Sequence, residues 1–331
     1  MSQDLRQVPQ AETLSEGPTT ADQYVVTGGA GFTPPPEVVI PTSLSREALR
    51  RFMANRLSVA STVLILFLLL LTLLANFLPL QNAFHHGPDL VLDAPPSGAH
   101  WAGTDSNGLD EFSRLVFGMR PAFAVGIIGQ VITTLLGVAF GVVAGFYGGW
   151  VDNVLARITD LIFAFPSFLL AFLVVGVFGS QVTGFGGGTG SVMLITVVFA
   201  LVGWPSLMRF VRGLTLSLRE QQFVEAARTV GTPGWKIITR HILPNTWGLV
   251  LVQATFGVGA YISTEAVLSL LGLGVQSPNP DLGVMVSSGI GQLSVNPIEA
   301  LAPSALLTII VVAFAFLGDG LRDAVDPRGK E

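Results

Sequence analysis

The sequence predicts an all-α, polytopic membrane protein with six transmembrane helices, and three observations carry that prediction. Half of the 331 residues are hydrophobic and only 12% are charged, where soluble domains average about 25% charged. No charged residue falls between Arg56 and Asp89, between Arg120 and Asp152, or between Asp160 and Arg209. Each gap exceeds the roughly 20 apolar residues that a helix rising about 1.5 Å per residue needs to cross a hydrocarbon core about 30 Å thick. The basic residues are also one-sided. Spans drawn over 57–78, 121–147, 158–179, 190–211, 247–274 and 301–318 divide the Lys and Arg residues 15 to 2, with only Arg114 and Arg120 in the minority. The positive-inside rule then places both termini in the cytoplasm.

Taken in order, residues 1–43 mix Gln, Ser, Thr, Gly and Pro without apolar periodicity and read as a disordered cytoplasmic tail. Residues 44–56 set Arg46, Arg50, Arg51 and Arg56 around Leu49, Phe52 and Met53, the pattern of an interfacial amphipathic helix. The transmembrane domain covers 57–318, with an external segment at 80–120 and a cytoplasmic loop at 215–246; residues 319–331 form a cytoplasmic C-terminal tail. The first apolar run starts after residue 56. It is longer than the roughly 7 to 15 apolar residues of a secretory signal and reads as a span. In the external segment, Thr104 or Asp105 is expected to cap a helix running to Gly118 that could lie flat as a lid. Gly137, Gly141 and Gly145 form a small-residue stripe suited to close helix packing. Gly184 to Gly190 separates the third span from the fourth.

The loop between the fourth and fifth spans has structure of its own. Phe223, Ala226, Ala227 and Val230 recur at i, i+3, i+4 and i+7, which predicts a short amphipathic helix carrying Glu225 and Arg228 on its other side. Gly231 and Pro233 break it, and a second short helix from Gly234 to Ile242 is expected to end at Leu243-Pro244. So small a module buries little against itself. It either lies on the bilayer or fits a groove on a partner, and the residues alone leave both open.

Glu225-Ala226-Ala227, Gly231 and His241-Ile242-Leu243-Pro244 together resemble the signature loop of the membrane subunits of binding-protein-dependent ABC importers. His241 departs from the isoleucine of the general signature, and the stretch is similar to the peptide-transporter branch. Four further stretches resemble the C-type subunits of the dipeptide/oligopeptide/nickel permeases. These are Gly103-Thr104-Asp105 with Gly108, Asp110 and Ser113-Arg114; Asp160 with Phe165-Pro166-Ser167; Glu265-Ala266 with Leu268-Ser269 and Leu271-Gly272-Leu273-Gly274; and Gly318-Asp319-Gly320-Leu321-Arg322-Asp323 with Asp326-Pro327-Arg328. Leu109 replaces the arginine usual in that external segment.

The resemblance implies the type I ABC importer permease fold in a bacterial inner membrane. It also implies a homologous permease subunit as heterodimer partner, two cytoplasmic ATPase subunits and an extracytoplasmic binding protein. Phe223, Glu225, Ala226, Ala227, Gly231, Leu243 and Pro244 would then couple to the ATPases. Relatives carry dipeptides, oligopeptides, glutathione or nickel; peptide uptake is the expectation here.

Single residues limit the alternatives. Glu265 lies well inside a span, where a charge costs about 2.5 to 3.5 kcal/mol on insertion scales. It is a candidate for the translocation path, or else a carboxyl that hydrogen-bonds neighbouring helices together. If instead it carried a coupling proton, the chain would be a secondary transporter, but no internal similarity marks the repeats that such transporters show. Asp105, Asn107 and Asp110 invite a calcium reading, which the EF-hand spacing does not support. His85, His86 and His100 read as loop histidines, so no metal site is expected. With no cysteine, thiol chemistry and Cys-ligated metals are excluded. Neither lysine, Lys236 or Lys330, stands in a P-loop, and Gly28-Gly29-Ala30-Gly31 follows no strand. No catalytic residue or cofactor is therefore assigned to this chain; ATP and Mg are expected on the partner ATPases. The net charge of -5 carries no nucleic-acid footprint.

Overall fold

The computed structural model describes residues 44–81, 83–84, 91–179, 189–275 and 279–326. The expected N-terminal tail, His85, His86, most of the glycine-rich stretch before Gly190 and the end of the C-terminal tail lie outside these residues. Among the described residues the secondary structure is helical, apart from an isolated antiparallel bridge between Thr104 and Asp110.

Helix α1 covers Leu44–Ala54 and leads into α2, Arg56–Phe77, whose last turn is 3₁₀. Asn55 separates the two because its Oδ1 accepts the Leu57 and Ser58 N–H groups at 3.2 and 3.3 Å, satisfying donors that a helix start leaves free. The Ser58 hydroxyl donates to the Phe316 carbonyl at 3.0 Å. This fixes α2 against the last helix of the chain.

Helix α3 runs from Glu111 to Tyr147. Its N-cap is Asp110, which accepts from Ser113 N–H at 2.8 Å. The sequence-based expectation of a separate flat helix starting at Thr104 or Asp105 is thereby corrected: those residues form the bridge and turns before the cap, and the helix enters the second span without a break. A π-helical turn over Ala124–Ile128 follows Pro121, whose missing N–H frees a backbone carbonyl.

The third predicted span, 158–179, is broken. Helix α4, Gly149–Phe163, and helix α5, Ser167–Phe178, are bent by 74° at Ala164-Phe165-Pro166. Proline disfavours helical backbone at the residue before it, so the apolar run continues while the helix does not. Among the described residues, five single helices are long and apolar enough to cross a membrane, and six elements are if this bent pair is one span.

Helix α6, Thr189–Arg219, packs along α3 on the glycine stripe. A Cβ at Gly137 would meet Leu207 at 2.8 Å, one at Gly141 the Met208 carbonyl at 2.7 Å, and one at Gly145 the Thr215 side chain at 2.7 Å. At 31 residues α6 is about 46 Å long, more than the hydrocarbon core requires. Its overhang pairs with α4: Arg212 holds Asp152 through two bonds of 2.5 and 2.6 Å, and Arg209 meets Asp160 at 2.6 Å.

Helix α7, Gln222–Thr229, is followed by α8, Gly234–Leu270. The stop expected at Leu243-Pro244 is absent. A π-helical turn over Ile238–Ile242 carries the helix past Pro244, which sits early in the next segment where its lack of an N–H is tolerated. Helix α9, Leu282–Ile290, is short, and α10, Ile298–Val325, completes the fold. The main core joins Ile65 and Leu68 of α2, Met119 and Phe123 of α3, Ile262 of α8, Leu282 and Met285 of α9, and Ile310 and Phe314 of α10.

Candidate functional site

The candidate site is built on α7. Val224 is fully buried and anchors the helix in a cluster with Ile237, Ile242, Val142, Val211 and Val250, drawn from α8, α3 and α6. Ala227 and Leu243 pack on its margin. The face that the sequence pattern marks as apolar points mostly the other way: Phe223 is 42% exposed, Val230 79% and Trp235 61%, and Ala226 is exposed with them. The i, i+3, i+4 periodicity defines a face but not its direction. Glu225 is exposed on the same helix, and Pro244 is exposed beyond the π-helical turn.

Gly231 has a physical reason to be glycine. Its φ is +78°, the left-handed region that side chains disfavour. There Thr232 N–H reaches the Ala227 carbonyl at 3.0 Å and Gly231 N–H the Arg228 carbonyl at 2.9 Å, which closes α7 with a Schellman motif. The loop is held from below by Arg228 over the Phe146 ring at 5.3 Å, and Phe223 meets the His241 ring at 6.1 Å. The result is a buried anchor whose outer surface exposes Phe223, Ala226 and Val230 together with the charged Glu225 and Arg228, a mixed surface suited to docking in a protein groove.

Glu265 lies elsewhere in the fold. It is 0% exposed; Oε1 accepts from the Ser269 hydroxyl at 2.8 Å, and the carboxyl also hydrogen-bonds Asp281. Asp281 is the N-cap of α9, accepting from Val284 N–H at 3.0 Å. Burial pushes the Asp281 carboxyl above its usual range, outweighing the hydrogen bonds from Glu265, Val284, Ser269 and Gly283 that favour its charge. The pair thus holds α9 on α8, beside an apolar groove of about 390 Å³ lined in part by Ser263, Ser304 and Thr308. Sequence reasoning singled out Glu265 but missed Asp281. Asp281 before an apolar run that begins Leu282-Gly283 is an N-cap signature, yet nothing in the sequence pairs it with a residue sixteen positions upstream.

An exposed loop on a buried anchor at one end of a bundle of membrane-length helices defines a multi-pass membrane protein, and sequence comparison supplies its class. The chain belongs to the family described as binding-protein-dependent transport system inner membrane component, whose model matches residues 137–331. Residues 43–96 match the N-terminal TM domain of oligopeptide transport permease C, so this is a C-type permease subunit and a multi-pass membrane protein. The glutathione transport system permease protein GsiD of Pectobacterium atrosepticum is 38% identical over 86% of this chain and 91% of its own length. The dipeptide transport system permease protein DppC of Alkalihalophilus pseudofirmus is 36% identical over 90% and 95%, and the oligopeptide transport system permease protein OppC of Bacillus subtilis 35% over 86% and 90%.

Proposed function

We propose that this chain forms half of the translocation pathway of an ATP-driven peptide importer in the bacterial cytoplasmic membrane. It pairs with a homologous permease subunit, receives solute from an extracytoplasmic binding protein and docks on two cytoplasmic ATPase subunits, which hold and hydrolyse the ATP with Mg. The observation that carries this reading is the outward apolar face of α7: Phe223 and Val230 stand exposed above the fully buried Val224. The 15-to-2 division of basic residues supports an orientation with the loop and both termini in the cytoplasm.

The mechanism follows from the packing. Approach of the ATPases displaces α7, and because Val224, Ile237 and Ile242 share one cluster with α3, α6 and α8, the displacement passes to those helices as a rigid-body movement. Net work on the helices requires the ATPases to bind the two arrangements with different affinity. Glu265 borders the path in this reading, bracing α9 beside the groove. Glutathione uptake is the second reading, supported by the similarity to the GsiD protein.

The test is co-purification of the tagged chain in mild detergent, wild type beside Glu225→Lys and Phe223→Ala. The expected result is that ATPases and a second permease accompany the wild type, and that both variants lose ATPases while keeping the permease. Purification of the wild-type chain alone, with uptake in vesicles following a proton gradient without ATP, would overturn the reading. Competition between dipeptides, longer peptides and glutathione in the same vesicles separates the substrates.

A further inference from the structure

At the helix end opposite the 222–242 loop, the fold buries a group of carboxylates that the proposed function does not use. Asp105, Glu111 and Glu299 are 3%, 1% and 2% exposed. Each offers a carboxylate oxygen within 4.8 Å of the other two. Asp105 precedes α3, Glu111 opens α3 and Glu299 lies in the first turn of α10, so distant parts of the chain converge here.

Their hydrogen bonds leave acceptor capacity unused. Asp105 Oδ1 accepts from Asn107 and Leu109 N–H at 2.9 and 2.7 Å, while Oδ2 has only a long contact with Arg114 Nε at 3.6 Å. Glu299 accepts from Ser106 N–H and Oγ, both at 3.3 Å. Glu111 Oε2 is buried and accepts no hydrogen bond. Asp93 Oδ1 is also buried without a partner, and its charge acts on Glu299. The three carboxylates, Asn107 and Arg114 line one cavity of about 210 Å³. Asp110 is not part of the group, because it pairs with His100 Nδ1 at 2.8 Å and caps α3.

Three ionised carboxylates against one guanidinium leave two negative charges away from water, and either protons or one divalent cation relieve them. An all-oxygen donor set selects a hard cation. Ca²⁺ takes carboxylate oxygens at about 2.3 to 2.6 Å in flexible geometry, which suits three oxygens gathered within 4.8 Å of one another from separate parts of the chain, whereas Mg²⁺ demands a near-ideal octahedron and keeps several waters. We propose that Asp105, Glu111 and Glu299 form a calcium site that ties the segment before α3 to the first turn of α10. The site owes nothing to a contiguous loop motif.

The full-length chain in detergent, freed of cations with chelator, is titrated with ⁴⁵Ca²⁺ and separately melted with and without calcium, wild type beside Glu111→Gln and Glu299→Gln. The expected result is one ion per chain with an affinity in the range up to about 1 mM, a melting point raised by calcium, and binding weakened about tenfold or more in each variant. The glutamine variants keep the side-chain volume and remove one charge, and their melting points in chelator report whether they fold. Absence of binding to folded wild type overturns the proposal. So does calcium affinity unchanged in both folded variants, or wild type that prefers Mg²⁺. None of these readouts depends on transport, so failure here leaves the importer reading standing, and failure of that reading leaves the site.

Discussion

The two ends of this molecule handle exposure in opposite ways. At the loop end, apolar side chains stand in the open, with Phe223, Val230 and Trp235 exposed. At the other end, charged side chains are taken out of water, with Asp105, Asp110, Glu111, Arg114, Asp281 and Glu299 all buried. Exposed apolar side chains on a buried anchor cost little in electrostatic terms. Buried charges cost much unless each is paired, so they demand that surrounding elements stay in place. In the proposed importer, the loop end serves contact between chains, and the opposite end serves cohesion within this one.

The comparison breaks most readily at Asp105. Asp105→Ala strands the Asn107 and Leu109 N–H groups inside the fold and removes the carboxylate that Arg114 meets at 3.6 Å. A destabilisation of about 3 kcal/mol is expected, measured as denaturant or thermal unfolding of the detergent-solubilised chain. A loss below about 0.5 kcal/mol would mean that this end does not depend on its buried charges. A smaller effect is expected at the loop. A Cβ at Gly231 meets nothing within 4 Å, so Gly231→Ala costs only the strain of the left-handed backbone, about 1 to 2 kcal/mol, and that strain is local to the end of α7. Hydrogen exchange should rise in 222–232 and stay unchanged around Glu111 and Glu299; a rise at both ends would dissolve the distinction between them.

Legibility in the sequence follows the same division. The helices near the spans were readable because a charge-free apolar run has few alternatives in a membrane, and the α7 helix with its Gly231 terminus was readable from local periodicity and turn chemistry. The bend at Pro166 was harder. Hydropathy runs on through Phe165-Pro166-Ser167, and only the backbone restriction imposed by the proline interrupts the helix. Pro244 gave the opposite error, because a π-helical turn upstream allows the helix to pass a residue that local rules take as a stop. The outward aim of Phe223 was hidden because a pattern names a face without naming its neighbour. The pairing of Glu265 with Asp281, and the meeting of Asp105 and Glu111 with Glu299, arise only when helices remote in sequence are brought together.

The smallest expected effect concerns Asp281, which sharpens the account of how the end opposite the loop keeps its charges buried. Its carboxyl is raised by burial and caps α9 through Val284 N–H. The folded chain therefore holds this proton more tightly than the unfolded chain. Its contribution to stability is present at acid pH and is lost as pH rises from the ordinary carboxylate range through the raised value. Asp281→Asn keeps an acceptor for the cap and removes this carboxyl's own titration while leaving Glu265 beside it, since Asn caps as well as Asp. At low pH the variant should lie within about 0.5 kcal/mol of wild type. As pH rises, the stability of the wild type should fall toward or below that of the variant, while the variant's own profile stays flatter. Parallel profiles would mean that Asp281 itself retains no proton on folding, and that its part in the brace between α8 and α9 rests on the hydrogen bonds it accepts.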